Sequence, residues 1–454
     1  MAVNSLHPQI TRQVLDDWRL CYDAYQGEGD IKQRGATYLP MPSGYTTHGD
    51  DGIAAYAAYK MRAQFPEVMA TSVGAMVGII HGEEIAVEMP SNMEYLFEDV
   101  DGEGITLNDF HKNITRNLLV SGRYGVLADA PQGGGDPFLA GYRGDTIINW
   151  DFGFFVLNES EAVRDGFVWA QEEKYRVLQI VDGVYMATLH KSDGETDATP
   201  TRLGGGLMNN IPFAVASAKD MGPDMEAPPM IGIARAALSM YQLSADYRLQ
   251  LYMSGQETLV AINGEAPSSV GAGVVHQMSG ENDQTPDLKY VSPTCAGIQA
   301  HLEAIQDNRA VAIQAGARLF EQSGQANESG TARKMRFRSE TANLKTVAQS
   351  SCSLLEASLR NIARMLGQSD AVIEAITVTP PKDLLDATLT PQEAVALFSL
   401  VETGGLAQET YYERIQAGGI ASQERTFDEE YSLIVDREFG ADRPANRADG
   451  PPII

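Results

Sequence analysis

The feature that most constrains this chain is a pair of long amphipathic stretches separated by a short, turn-rich one. Pro228-Pro229 precede a segment, Ile231 to Met253, whose Ile231, Ala234, Leu238, Tyr241, Ala245 and Tyr252 recur at helical spacing. A second, Ile298 to Phe320, keeps Ile298, Leu302, Ile305, Ala312, Gly316 and Phe320 on one stripe. At a rise of 1.5 Å per residue each helix would be about 35 Å long. Between them Thr258 to Tyr290 is β-like, with Asn263-Gly264 as a hairpin candidate. A polar loop, Gln322 to Ser329, follows, and then a third helix from about Thr331 to Leu366 with Leu344, Val347, Leu354, Leu355, Leu359, Ile362 and Leu366 in register. Three long helices and a thin insert cannot bury every apolar stripe within one copy, so lateral neighbours are expected to cover the rest.

The first half has a different character. Thr11 to Tyr25 predicts an amphipathic helix, with Val14, Leu15, Trp18, Tyr22 and Tyr25 on one face. Gly27 to Gly52 is rich in Gly and Pro and predicts loop, and Gly52 to Met76 predicts a single helix. Glu84 to Glu88 predicts a short strand. Asp99 to Phe110 begins like a calcium loop, with Asp99, Asp101, Glu103 and Gly104 in place, but Phe110 stands where the bidentate Glu is needed. An acidic turn followed by a Thr106-x-x-Asp109 capping box explains it better. A helix to Val120, ended by Gly122, leads into a buried strand, Tyr124 to Ala128. Phe152 to Val156, Glu161 to Glu172, Tyr175 to Ile180 and Gly183 to His190 carry strand composition, and Asp182-Gly183 is a hairpin signal. A mixed α+β domain ending near Pro229 results. After Pro380-Pro381, helices are expected from Pro391 to about Glu402 and from Leu406 to Ala417, and the tail from Ala441 is expected to be disordered.

Charge and motif content exclude several function classes. The chain has 34 Lys and Arg against 61 Asp and Glu, a net −27. Nonspecific nucleic-acid binders gain affinity by releasing counterions through basic surfaces, so this surface will not coat itself with DNA. It could still surround a moving polyanion without gripping it. The longest mostly apolar stretch, Thr71 to Ile80, is too short for a membrane span. Nothing at the N-terminus points to secretion. Cys21, Cys295 and Cys352 form neither a disulfide framework nor a zinc pattern. No P-loop, nucleophile elbow or His-Glu-x-x-His pair is present, and no cofactor or metal is expected. His81-Gly82-Glu83-Glu84 is the nearest thing to an acid/base cluster. One stretch breaks the acidic trend: from Thr331 to Lys345 five cations (Arg333, Lys334, Arg336, Arg338 and Lys345) face Glu340 alone. They suit either phosphate contact or ion pairing with an adjacent subunit.

An ordered series of motifs carries a resemblance. His7-Pro8 near Trp18, Tyr38-Leu39-Pro40, an Ala/Tyr-rich helix with Tyr56, Tyr59, Arg62 and Phe65, and Asp101-Gly102-x-Gly104 come first. Gly122-Arg123-Tyr124-Gly125 with Asp129-x-Pro131, Ile147-Ile148-Asn149-Trp150, Tyr175-Arg176-Val177-Leu178 and Ile211-Pro212-Phe213 follow. Pro228-Pro229, Ser244-Ala245-Asp246-Tyr247 and Gly316-Ala317-Arg318-Leu319 complete the series. In this order they resemble the portal proteins of tailed bacteriophages, in a prophage subgroup formerly catalogued as a domain of unknown function. The resemblance spans about residues 7 to 340; no motif after about 370 matches.

The resemblance implies a portal-type α+β fold. Residues 1–229 would be the N-terminal wing, 230–257 the first stem helix, 258–297 a small β clip and 298–321 the second stem helix. Residues 322–330 would form the tunnel loop, 331–380 the long wing helix and further wing, 381–440 a helical crown and 441–454 the tail. It implies a dodecameric homo-oligomer at one capsid vertex, through which double-stranded DNA is packaged and ejected. Implied partners are the major capsid protein, terminase and an adaptor, head-completion or tail protein; the location is the virion, and the host cytoplasm during assembly. No catalytic residue or cofactor is implied. Gln322, Ser323, Gly324, Gln325, Asn327, Glu328 and Ser329 would face DNA. Arg333, Lys334, Arg336 and Arg338 would touch DNA or a neighbouring subunit. The alternative is a soluble acidic cytosolic enzyme, a hydrolase, with a dispersed, unrecognised site.

Overall fold

The computed structural model describes residues 3–46, 49–131, 134–191, 194–198, 206–255, 257–265, 267, 269–270, 285–292, 297–314, 330–381, 391–417, 420–422 and 425–433. The chain divides into two compact units, Met1–Pro381 and Lys382–Ile454.

The first helix, α1 (Arg12–Gln26), begins where Thr11 accepts a capping hydrogen bond from the Val14 amide. Its face buries Trp18, whose indole N–H donates to the Ser121 carbonyl at 2.9 Å. A second helix, α2 (Glu28–Gln33), follows at once, where the glycine-rich sequence predicts loop. Tertiary contacts override that propensity: Ile31 is fully buried, and the Glu28 carboxylate pairs with Lys32 at 2.6 Å and accepts from the Phe65 amide at 2.9 Å.

The single helix expected from 52 to 76 is two, α3 (Gly49–Arg62) and α4 (Val68–Ile80). Pro66 lies between them; it has no amide hydrogen to donate and disfavours helix at the residue before it. α5 (Leu107–Ser121) starts at Thr106, which accepts from the Asp109 amide, and stops at Gly122 in the left-handed region (φ 74°).

The strands form small antiparallel sheets. β1 (Ala86–Glu88) pairs with the distant β14 (Thr377–Thr379). β2 (Arg123–Asp129) lies between β3 (Phe138–Arg143) and β11 (Phe213–Ser217). Arg123 to Ala128 are all buried, which is why this strand reads as a run and not as an alternation.

A five-stranded sheet has the order β10 (Gly194–Ala198), β9 (Val184–Lys191), β8 (Lys174–Val181), β5 (Phe154–Asn158), β4 (Ile147–Asp151). Asp182 and Gly183, both at positive φ (51° and 79°), make the tight β8–β9 turn that the sequence signals. The stretch of strand composition from 161 to 172 is a separate two-stranded ribbon, β6 (Glu161–Asp165) and β7 (Val168–Glu172).

α6 (Ile231–Ser254), β12 (Thr258–Ile262), β13 (Asp287–Val291) and α7 (Ile298–Gln314) realise the expected helix–β–helix order. β12 pairs with β13, 24 residues further along, so Asn263-Gly264 does not close a two-residue hairpin between them. α8 (Gly330–Met365) is one 36-residue helix. From Leu344 onward it lays Leu344, Val347, Leu354, Leu355, Leu359 and Ile362 into the core against α5, β2 and β11. α9 (Asp370–Glu374) leads into β14. The second unit contains α10 (Pro391–Glu402) and α11 (Gln408–Ala417).

Candidate functional site

The region that the sequence singles out is the helix–strand–helix unit. Its base is tied into the body through α6. Tyr241 is fully buried with Phe65 edge-on at 6.2 Å, and the Tyr59 hydroxyl donates to Asp246 at 2.6 Å. Ser244 accepts from the Gln64 amide at 2.9 Å, Gln242 donates to the Tyr38 carbonyl at 2.8 Å, and Arg235 grips Asp17 at 2.8 Å. Ala236 and Met240 pack on Ala312 and Ile305 of α7, and Gln250 meets His301 at 3.0 Å. Residues advance along α6 as their partners retreat along α7, so the two helices are antiparallel.

Past Asp246 the environment changes. Leu251, Tyr252 and Met253 are exposed there, with the Arg62 guanidinium over the Tyr252 ring at 3.8 Å; Val311 of α7 is exposed as well, beside Ala312 at the base of the pair. β13 is exposed along most of its length.

Gln322, Ser323, Gly324, Gln325, Asn327, Glu328 and Ser329, Cys295, residues 315–320 and the tail 441–454 lie outside the described residues. Arg333, Lys334, Arg336 and Arg338 fall within α8, and their side chains lie outside the described ones.

The other polar clusters are used up in holding the fold. His111 is fully buried with its Nε2 3.0 Å from the Ser351 hydroxyl and 3.7 Å from the Cys352 sulfur. The Ser351 hydroxyl donates to the Ala348 carbonyl, so its oxygen must accept from the His111 Nε2–H. By the same accounting Thr115 donates to the His111 carbonyl and accepts from His81 Nε2–H at 2.9 Å. Each ring therefore carries a proton on Nε2, and His111 Nδ1 has no partner. Burial pulls His81 down to about 4 and His111 to about 3, helped by Lys112 and Arg116 beside His81, and pushes the Cys352 thiol up to about 12. A thiol that stays protonated and a base that no substrate reaches do not make a nucleophilic pair. Glu83 and Glu84 are exposed while His81 turns inward, so the acid/base cluster suggested by the sequence is not assembled.

Arg123 is buried on the face of Trp150 at 4.0 Å, with His7 stacked on the same indole at 3.8 Å. Arg176 joins Glu159 (2.7 Å) and Asp129 (3.0 Å). A cavity of about 620 Å³ between α8 and β11 is lined by Arg360, Arg364, Asn361 and Asn210. Its cations are engaged: Arg360 pairs with Glu356 at 2.9 Å and donates to the Ile376 carbonyl, and Arg364 donates to Asn361. In the acidic turn the Asp99 carboxylate accepts from the amides of Gly102 and Gly104, and Asp101 from those of Glu103 and Ile105. These carboxylates hold the acidic turn that precedes the Thr106-x-x-Asp109 box. Among the described residues no group of three His, Cys, Asp or Glu is placed to hold a metal, and no helix is long and apolar enough to cross a membrane.

The sequence reading missed the β6–β7 ribbon as a surface feature. Its tip exposes Phe167, Val168 and Trp169. The signal was available: three consecutive large apolar residues directly after Gly166, in a stretch otherwise acidic.

Residues 229–366, from the start of α6 through α8, match the model of a family described as Domain of unknown function (DUF4055). No curated protein matches the chain. Among solved structures, the neck of an empty gene transfer agent particle, computed with C6 symmetry, is similar at 15% identity, covering 77% of this chain and 90% of the other, with a TM-score of 0.41. The virion of a native gene transfer agent particle matches at 17% identity, 77% and 89% coverage and a TM-score of 0.41. The neck of the native particle, computed with C12 symmetry, matches at 15%, 77% and 89%, with a TM-score of 0.38.

Proposed function

We propose that this chain is the subunit of a phage portal: a dodecameric ring at one capsid vertex through which double-stranded DNA is packaged and ejected. The observation that carries the reading is the helix–strand–helix unit. An antiparallel pair, α6 and α7, is anchored at one end by Tyr59, Gln64 and Phe65 and leaves Leu251, Tyr252, Met253 and Val311 exposed. Such a pair suits a stem whose flanks are covered by the adjacent copies. In this reading β12, β13 and the rest of 258–297 form the clip, and 1–229 with 331–380 the wing. Residues 381–440 form the crown.

Gln322, Ser323, Gly324, Gln325, Asn327, Glu328 and Ser329 form the tunnel loop. Small polar side chains there contact phosphates without reading sequence. Arg333, Lys334, Arg336 and Arg338 stand behind it and touch DNA or the next subunit. The ring docks the major capsid protein, terminase and then an adaptor, head-completion or tail protein, in the host cytoplasm during assembly and in the virion afterwards. The chain performs no chemistry; ATP hydrolysis belongs to the terminase. Net −27 per copy gives the channel a repulsive wall that denies DNA bound states.

Electron microscopy of the purified full chain tests the proposal. Rings with a central hole are expected; particles that stay monomeric at every concentration and after co-expression with the capsid protein overturn it.

A further inference from the structure

The second compact unit, Lys382–Ile454, is short of a core. Among its described residues Tyr412 alone is buried, its hydroxyl donating to the Arg425 carbonyl at 3.0 Å. A unit of this size rarely buries enough apolar surface to stand alone, and association is a common way to complete it. Its apolar side chains are not missing; they are uncovered, and α10 holds most of them in one place.

Between Glu393 and Glu402 this helix carries no charged residue, and Ser399 is its one polar side chain. A helix that is apolar all round is ordinarily surrounded. Here one side alone has a neighbour: Ala394, Leu397 and Val401, at helical spacing, are half-buried, and α11 packs there, with Tyr411 meeting the Phe398 ring at 5.6 Å. At 3.6 residues per turn the other apolar residues fall on two flanks. Val395, 69% exposed, and Phe398, 45% exposed, stand on one; Leu400, 49% exposed, and the exposed Ala396 stand on the other. The charges say what can cover them. The unit has 14 Asp and Glu against 6 Lys and Arg, so elsewhere on it like charge opposes the approach of another copy. The flanks of α10 offer nothing to repel a second copy and nothing for a basic partner to pair with.

We propose that α10 is a contact between copies of this chain, in which Val395 and Phe398 of one copy pack on Ala396 and Leu400 of the next. Copies related by rotation about one axis present their α10 helices in the same direction. One flank of each then meets the opposite flank of its neighbour, a heterologous contact that covers both flanks of every copy when the ring closes. A single foreign partner on one flank would leave the other bare. The small Ala396 beside Leu400 leaves a hollow for a large side chain, as ridges enter grooves between packed helices. The inference rests on the ring reading above. Two short flanks are less than an ordinary interface needs, so α10 strengthens a contact that other surfaces share.

Cross-linking of the full chain tests it, in a Cys295→Ser background, since Cys21 and Cys352 are buried. Val395→Cys and Leu400→Cys chains, mixed one to one and treated with a short bis-maleimide, should give covalent dimers on a denaturing gel, and each variant by itself should give none. Val395→Glu alters an exposed side chain, so circular dichroism stays that of the wild type, while the dissociation constant between copies, read by sedimentation, rises about tenfold. Dimers from Val395→Cys alone would mean that like flanks meet, and overturn the heterologous contact. Wild-type rings whose mixed cysteine variants do not cross-link, or whose Val395→Glu variant assembles equally well, overturn α10 as the contact and leave the ring standing. A wild type that never assembles overturns both proposals.

Discussion

The junction of α5, β2 and α8 and the paired helices α6 and α7 are built on opposite terms. At the junction Ile114, Leu118, Val126, Leu355 and Ile362 are fully buried, and so are the polar His111, Thr115 and Ser351, which hydrogen-bond inside through His111 Nε2 and the two hydroxyls. The α6–α7 pair shares one small cluster, Ala236, Met240, Ala312 and Ile305, and turns Leu251, Tyr252, Met253 and Val311 outward. The first region owes its stability to its own chain. The second is held through its base and leaves apolar area uncovered in the single copy.

The largest effect should come from emptying the self-sufficient region. Leu355→Ala removes a fully buried side chain and should cost about 2–5 kcal/mol in chemical denaturation of the single copy. A cost below about 1 kcal/mol would mean the junction is not the stable centre of the molecule.

Acid should act on the same place. His111 titrates far below its ordinary 6.5 because burial disfavours its charged form, so the unfolded chain binds the proton first. Stability contributed by this ring is complete above about pH 6.5 and falls as the pH drops below it, levelling near pH 3. Between pH 7 and 5 the loss is about 2 kcal/mol at most. His111→Gln retains a donor for Ser351 and should flatten the denaturation midpoint against pH; an unchanged slope would refute the neutral buried ring.

Gly122→Ala should cost about 1–2 kcal/mol, because the left-handed backbone is kept and the new Cβ lies 3.2 Å from the Pro228 backbone. Here the two regions touch, since Pro228 opens the path into α6. Melting temperature reports it.

The smallest effect on a single copy belongs to α7. Val311→Ala should stay within about 0.5 kcal/mol of wild type in the isolated chain. In the proposed ring it should shift assembly toward smaller species. If Val311→Ala and Leu355→Ala destabilise the single copy equally, the contrast between the regions fails. Within the ring, Asn327→Ala with Glu328→Ala should leave assembly intact and lower the yield of DNA-filled particles.

Local signals were legible wherever a single residue type decides the backbone. Thr106 and Gly122 bracket α5, Asp182-Gly183 turns β8 into β9, and the 3.6-residue period of α6 and α8 places both helices within two residues of where they stand. α2 was illegible, because its helix depends on Glu28 meeting Phe65, a contact 37 residues away. The division of α3 from α4 could have been read from Pro66 and was masked by the unbroken run of Ala, Tyr and Met around it. Asn263-Gly264 signalled a hairpin, but the partner of β12 is β13, 24 residues further along, a pairing no dipeptide encodes.

The sequence by itself determined the helices, the turns, the acidic balance and the basic start of α8, because period, capping and charge are properties of neighbouring residues. Only the tertiary structure decided which apolar faces are consumed. Leu355 and Val311 are equally apolar on paper; one is fully buried in a helix that packs on α5 and β2, and the other is left 52% exposed. The same holds for the ribbon. Its alternation and turn were written in the residues, but that β9 stops at Lys191 and leaves Phe167 and Trp169 uncovered is a fact of packing between distant segments, which no local pattern carries.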